Sequence, residues 1–191
     1  MSNHMISDEG ENLVEETLEI TQVFSGDLLE LTVNTVRSAS GSKAKREVVH
    51  HPGGVVILPV LSGDQGEEVL LVRQYREPAG KPLWELPAGT LEEGETEKEC
   101  ARRELIEETK YSSSNLEKKV ELFTSPGYTD EILTLYLATG LEKLGPSEEV
   151  ETPEDENLIV ESFPTEELIE MARKGKITDG KTLAGLFFLT H

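Results

Sequence analysis

Positive charge is scarce in this chain. Eighteen Lys and Arg stand against 38 Asp and Glu, a formal net charge of -20, with an isoelectric point near 4.5. No nucleic-acid binder is expected from that balance, because phosphate neutralisation needs a basic face. Docking on anionic membranes is excluded for the same reason. Cysteine is almost missing too. The single Cys100 rules out an intrachain disulfide framework and fits a reducing compartment. No hydrophobic run is long: residues 53–61 form the longest, too short to span a bilayer. Residues 1–11 lack the basic region and apolar core of a signal peptide, so the expected compartment is the cytoplasm. What is present is an ordinary globular composition, 36% hydrophobic and 29% charged over 191 residues, enough for one domain and a small appendage. If the substrate of such a chain is an anion, a cation must draw it in.

The chain reads as a mixed α/β domain preceded by a small antiparallel sheet. Residues 1–14 carry no periodicity and are expected to be a disordered tail. Rough alternation over 17–24 and 28–36, around Ser25-Gly26-Asp27, predicts a hairpin, and 46–49 a third strand. Aliphatic runs at 55–61 and 69–74 flank a turn cluster at 62–66. Residues 96–109 lack Gly and Pro and are rich in helix formers. Strand character returns at 120–124, 132–138 and 158–163. Thr165 is expected to cap a helix running to Lys174, and a last helix to span 181–189. The expected organisation is a tail over 1–14, an N-terminal sheet over 15–50 and the main α/β domain over 51–191.

The decisive pattern lies between Gly89 and Tyr111: Gly89, Glu95, Arg103-Glu104-Leu105 and Glu107-Glu108. On a helix Glu104 and Glu108 share one face with Glu107 beside it, while Ala101 and Leu105 fall on the adjacent stripe and anchor it to a core. Carboxylates so spaced repel one another, and Arg103, pairing with Glu107 or Glu95, offsets only part of this. A hard divalent cation resolves the conflict, because Mg²⁺ takes oxygen ligands and shares its remaining positions with substrate phosphates. Each Glu alone reads as a solvated helix face. The joint pattern arises by chance on the order of once in ten thousand such chains.

This stretch resembles the Nudix box: Gly, five residues, Glu, seven residues, Arg-Glu-aliphatic, one residue, Glu-Glu. It departs at the end, where Lys110 stands for the family's Gly and Tyr111 for an aliphatic residue. The family Gly occupies a left-handed, helix-terminating position, which costs a Lys about 1–2 kcal/mol. The resemblance implies an α/β/α sandwich with a mixed sheet. It further implies metal ligation by Glu104, Glu108, Glu107 and the Ala88 carbonyl, with Glu95 and Arg103 orienting the carboxylates.

Sixteen residues after Lys110 comes Pro126, within Ser125-Pro126-Gly127-Tyr128, which resembles the ADP-ribose pyrophosphatase branch of the family. The implied activity is Mg²⁺-dependent hydrolysis of a small nucleotide sugar, ADP-ribose, to AMP and ribose 5-phosphate, with Mn²⁺ substituting. Arg76 is implied as a phosphate contact, Arg46 and Gly127 as further substrate contacts and Glu85 as a ribose contact. In Pro153-Glu154-Asp155-Glu156, Glu156 takes the catalytic-base position, Glu154 comes second, and Glu107 also serves the reaction. The N-terminal sheet is implied to form a homodimer. The alternatives are a pyrophosphatase for another nucleoside diphosphate sugar such as GDP-mannose, and an inactive ADP-ribose-sensing module, against which the intact box glutamates argue. Trp84 is expected in the core rather than stacked on a base. Residues 175–182 spell a P-loop, but a helix and not a strand precedes them, so Gly175 reads as that helix's terminal glycine.

Overall fold

Strand β4 (Gly54–Gly63) sends Val55 and Ile57 to one face and Val56 and Leu58 to the other, and all four are buried. A strand apolar on both sides must be covered on both sides, and it is. The computed structural model describes residues 13–63, 66–145 and 158–189. Its further elements are β1 (Glu16–Ser25), β2 (Glu30–Arg37), β3 (Lys43–His50), β5 (Gly66–Arg76), β6 (Lys81–Glu85), β7 (Ala88–Thr90), β8 (Tyr111–Phe123), β9 (Ile132–Lys143) and β10 (Ile159–Pro164). Three helices complete the set, α1 (Glu97–Thr109), α2 (Thr165–Arg173) and α3 (Gly180–Leu186).

Two compact units emerge, one drawn from Met1–His51 with Ser125–Glu131, the other from Pro52–Thr124 with Ile132–His191. In the first, β1, β2 and β3 form an antiparallel sheet in that order. The Ser125–Glu131 segment ties to β3, where Val49 N–H donates to Tyr128 O at 2.8 Å. Asp130 takes His50 Nδ1 at 2.6 Å and the His51 N–H at 3.0 Å.

The second unit carries a mixed sheet in the order β10-β5-β4-β9-β8, with β6 added to β5 and β7 to β4. Strands β4 and β9 run parallel and the other pairs antiparallel. Val56, Leu58, Leu71, Leu86 and Leu135 pack with Leu168 of α2, Leu186 of α3 and Ile177 of the segment between those helices on one face. On the other, Val55, Ile57, Leu116 and Tyr136 pack with Cys100, Ala101 and Leu105 of α1. This is an α/β/α sandwich, as expected from the resemblance.

Helix α1 starts at a capping box, in which Thr96 Oγ1 accepts from Glu99 N–H and the Glu99 carboxylate accepts from Thr96 N–H. It ends at Lys110, which adopts φ 62° and ψ 28° and donates its N–H to Ile106 O. Lysine therefore takes the left-handed position itself. At the end of α2, Gly175 (φ 70°) donates to Ala172 O, while Lys176 N–H reaches Met171 O, a Schellman close.

Several elements differ from expectation. Thr165 does not cap α2: Pro164 holds that position, and the Thr165 hydroxyl donates to Glu67 O at 2.9 Å. The last helix stops at Leu186 and tightens into a 3-10 turn over Phe187–Leu189. Strand β8 begins nine residues before the expected residue 120, because pairing with β9 recruits a polar stretch in which Leu116 alone is buried. Strands β6 and β7 are short pieces beside Pro and Gly and had no sequence signal of their own.

Candidate active site

Gly89 lies on β7 directly against α1. A Cβ there would collide with the Glu104 carboxylate, so the glycine makes the space that Glu104 occupies. On the neighbouring residue, Ala88 N–H donates to Glu108 Oε2 at 3.1 Å. Two box carboxylates thus meet one short strand, and Glu108 is only 6% exposed.

Arg103 organises the rest. Its Nε and Nη2 fork onto Glu95 at 2.9 Å each. Its Nη1 reaches Glu104 Oε1 at 2.7 Å and Glu107 Oε2 at 3.1 Å, and Nη2 also donates to Thr90 O. One guanidinium therefore fixes three carboxylates relative to β7. The Arg103 hydrogen bonds hold the Glu95 carboxyl at about 2, well below the usual range. The same pairing raises Arg103. Burial, with Glu95 beside it, pushes the Cys100 thiol up to about 12, which marks it as an inert packing group.

A second ion cluster lies on β5, β6 and α3. Glu85 is 1% exposed, and its two oxygens accept from Arg76 Nε and Nη2 at 2.9 Å each. Lys181 Nζ also donates to Glu85 Oε2 and lies 3.2 Å from Asp179. Burial pushes the Glu85 carboxyl up, but the Arg76 hydrogen bonds and Lys181 outweigh it and hold it below its ordinary value. Arg76 is raised, chiefly by its bonds to Glu85, with Glu108 and Asp179 adding attraction.

Glu85, Arg76, Ala88, Glu95, Arg103, Glu104, Glu107 and Glu108 thus belong to the second unit. Arg46 sits on β3 of the first, with its guanidinium on Glu15, and Gly127 lies in that unit's turn, where Tyr128 N–H meets Ser125 O. Glu154 and Glu156 lie outside the described residues. Trp84 packs edge-on against Phe163, with centroids 5.0 Å apart, and carries Arg73 over its ring, the core role expected of it. Lys181 was singled out by no site reading; its signal is the P-loop-like segment, whose Asp179 instead caps α3 through Thr182 N–H.

Among the described residues, no three His, Cys, Asp or Glu side chains form a ready cage for a metal ion. The donor set nonetheless fits a hard divalent cation, which takes one or two carboxylates and completes its shell with water and phosphate. Glu104 and Glu108, oxygen donors brought to the Ala88–Gly89 strand, are a carboxylate pair of that kind, with Glu107 next to them.

A sandwich whose glutamate-studded α1 abuts a strand glycine is the architecture of a Nudix domain, and the NUDIX domain family matches residues 50–186. The chain belongs to the Nudix family. It is similar to the ADP-ribose pyrophosphatase of Bacillus subtilis, with 38% identity over 93% of this chain and 94% of that protein. It is also similar to the methanol dehydrogenase activator of Bacillus methanolicus, with 36% identity over 94% and 95%. A solved ADP compounds hydrolase superposes with a TM-score of 0.78 at 20% identity, covering 92% of this chain and 91% of that one, and so shares the fold. Nudix hydrolases generally use divalent metal ions.

Proposed function

We propose that the protein hydrolyses the diphosphate bond of ADP-ribose, giving AMP and ribose 5-phosphate. The observation that carries this reading is the pairing, within one unit, of an acid-rich cluster on α1 with a buried-carboxylate-anchored arginine, Arg76. The Ser125-Pro126-Gly127 segment and the relative named ADP-ribose pyrophosphatase support the choice of substrate.

Mg²⁺, with Mn²⁺ as substitute, would be held by Glu104, Glu108, Glu107 and the Ala88 carbonyl. Bound there, such an ion supplies charge neutralisation at the diphosphate and lowers the pKa of a water. Arg103 and Glu95 keep the carboxylates aimed. Arg76 offers its guanidinium to a phosphate, assisted by Arg46 and Gly127. Glu85 anchors Arg76 and contacts a ribose. Glu156 accepts the proton of the attacking water as its oxygen bonds to phosphorus and the bridging P–O bond breaks. Glu154 is second in line and Glu107 a further participant. The local cations answer the question raised by a net charge of -20: the diphosphate is drawn by a site, not by the surface.

A homodimer in the cytoplasm completes the reading. Exposed Ile20, Val23 and Phe24 on β1 support the dimer. Among the described residues no helix is long and apolar enough to cross a membrane. The test is kcat/KM in Mg²⁺ for ADP-ribose, ADP-glucose, GDP-mannose and NADH. ADP-ribose should lead. A lead for GDP-mannose would move the protein to a different nucleotide-sugar branch, and no turnover of any would favour the inactive module.

A further inference from the structure

Among the buried charged groups of the described residues, Glu85 is the least exposed, at 1%. A carboxylate so buried needs compensation, and Arg76 alone already gives it two charge-assisted hydrogen bonds. Yet a second cation is brought to it from 96 residues away: Lys181 Nζ donates to Glu85 Oε2 while only 12% exposed itself.

The helix that delivers this lysine is locked to the backbone that carries Glu85. Asp179 Oδ2 accepts from Thr182 N–H at 3.0 Å and from its hydroxyl at 2.6 Å. The Thr182 oxygen in turn accepts from Leu86 N–H at 2.8 Å, in the buried interior. A Cβ at Gly185 would collide with Leu86, so α3 approaches as closely as a glycine permits. Lys181 therefore starts from a fixed point one residue along from the Leu86 anchor and ends on Glu85.

The consequence falls on Arg76. Its Nε and Nη2 face Glu85, whereas Nη1 has no hydrogen-bond partner among the described residues and its side chain is 40% exposed. Paired with Glu85 alone, the guanidinium would have its charge cancelled by that carboxylate. With Lys181, which Asp179 also holds at 3.2 Å, sharing the carboxylate, Arg76 keeps more attraction for an incoming anion than it would beside Glu85 alone, and its orientation is fixed from behind.

We propose that Lys181 is a positioning residue: through Glu85 it sets the Arg76 guanidinium and keeps its charge available to a phosphate of the substrate. This rests on the reading above of Arg76 as a phosphate contact. A residue that acts on binding alone changes KM and leaves kcat nearly unmoved, which a general loss of stability would not do.

The experiment is a double-mutant cycle on the full chain, with whichever diphosphate sugar of the panel the wild type turns over fastest. Lys181→Met should raise KM roughly tenfold or more, as expected for losing a charged hydrogen-bond partner, with kcat within about threefold. Lys181→Arg should recover most of the KM. In an Arg76→Ala background, Lys181→Met should move KM less than about twofold, because the lysine acts through the arginine. If Lys181→Met does not unfold cooperatively, Lys181→Gln takes its place. An unchanged KM overturns the proposal, and so do Arg76 and Lys181 effects that multiply. Failure of ADP-ribose alone changes the substrate and leaves the cycle readable; turnover of no panel member removes both readings.

Discussion

Around Arg103 one guanidinium serves three carboxylates, Glu95, Glu104 and Glu107, whereas around Glu85 one carboxylate serves two cations, Arg76 and Lys181. Both clusters are partly or fully withdrawn from water and both lie in the same unit. They differ in charge balance: the first has three carboxylates to one cation, whereas the second, with Asp179 3.2 Å from Lys181, has two of each. Negative charge left over on α1 invites a cation; beside β5 the charges balance, and the 40%-exposed Arg76 guanidinium is what an anion can reach. A diphosphate carried on a divalent ion requires both, and under the proposed function the two clusters divide that work.

Removing the invited cation is the harshest way to break this division. With EDTA the activity should vanish, and added Mg²⁺ should restore it; full turnover in exhaustively chelated protein would contradict the role given to α1. Gly89→Ala should come next. The added Cβ meets the end of a flexible side chain, Glu104, so the backbone should hold while the carboxylate is displaced. A loss in kcat of roughly tenfold, within the range for disturbed metal ligation, is expected with little change in Tm. Unchanged kcat would show that Glu104 can move without cost.

Acid stability sharpens the comparison further. The Glu95 carboxyl is held at about 2 instead of 4.5, so its contribution is complete above about pH 4.5 and is lost as pH falls towards 2. Urea midpoints of wild type and Glu95→Gln should therefore differ most above pH 4.5 and converge towards pH 2. A constant gap would mean that the ion pair with Arg103 is not its source. The smallest effect is at the end of α1, where Lys110→Gly should stabilise by up to about 1 kcal/mol by relieving a left-handed lysine, with activity little altered. Thermal denaturation reads it, and a loss of stability would deny that Lys110 is strained.

The acid-rich cluster was legible in sequence because helical spacing writes it out: Arg103, Glu104, Glu107 and Glu108 fall within six consecutive residues. Even the capping box, Thr96 with Glu99, is a local signal. The residues alone gave a mixed α/β domain, and its layering came from the family resemblance, although β4, apolar on both faces, carries the physical reason for it. Short range also explains the errors. Thr165 looks like a cap by residue type, but Glu67 O, brought near by the pairing of β10 with β5, takes its hydroxyl. Lys181 could not be matched to Glu85 by any local rule, because their meeting depends on α3 docking against Leu86. The segment that carries it even imitates a different phosphate-binding motif. Sequence reading saw Asp179, Lys181 and Thr182 as letters of a pattern; the fold makes them a cap, a charge and an anchor.

Metal affinity measured on one variant from each cluster tests the division of labour most directly. Mn²⁺ binding, followed by electron paramagnetic resonance, should be weakened roughly tenfold or more in Glu108→Gln and should stay within about twofold of wild type in Lys181→Met. Equal affinity in Glu108→Gln and wild type, or an equal loss in both variants, would contradict the assignment of cation to one cluster and anion to the other.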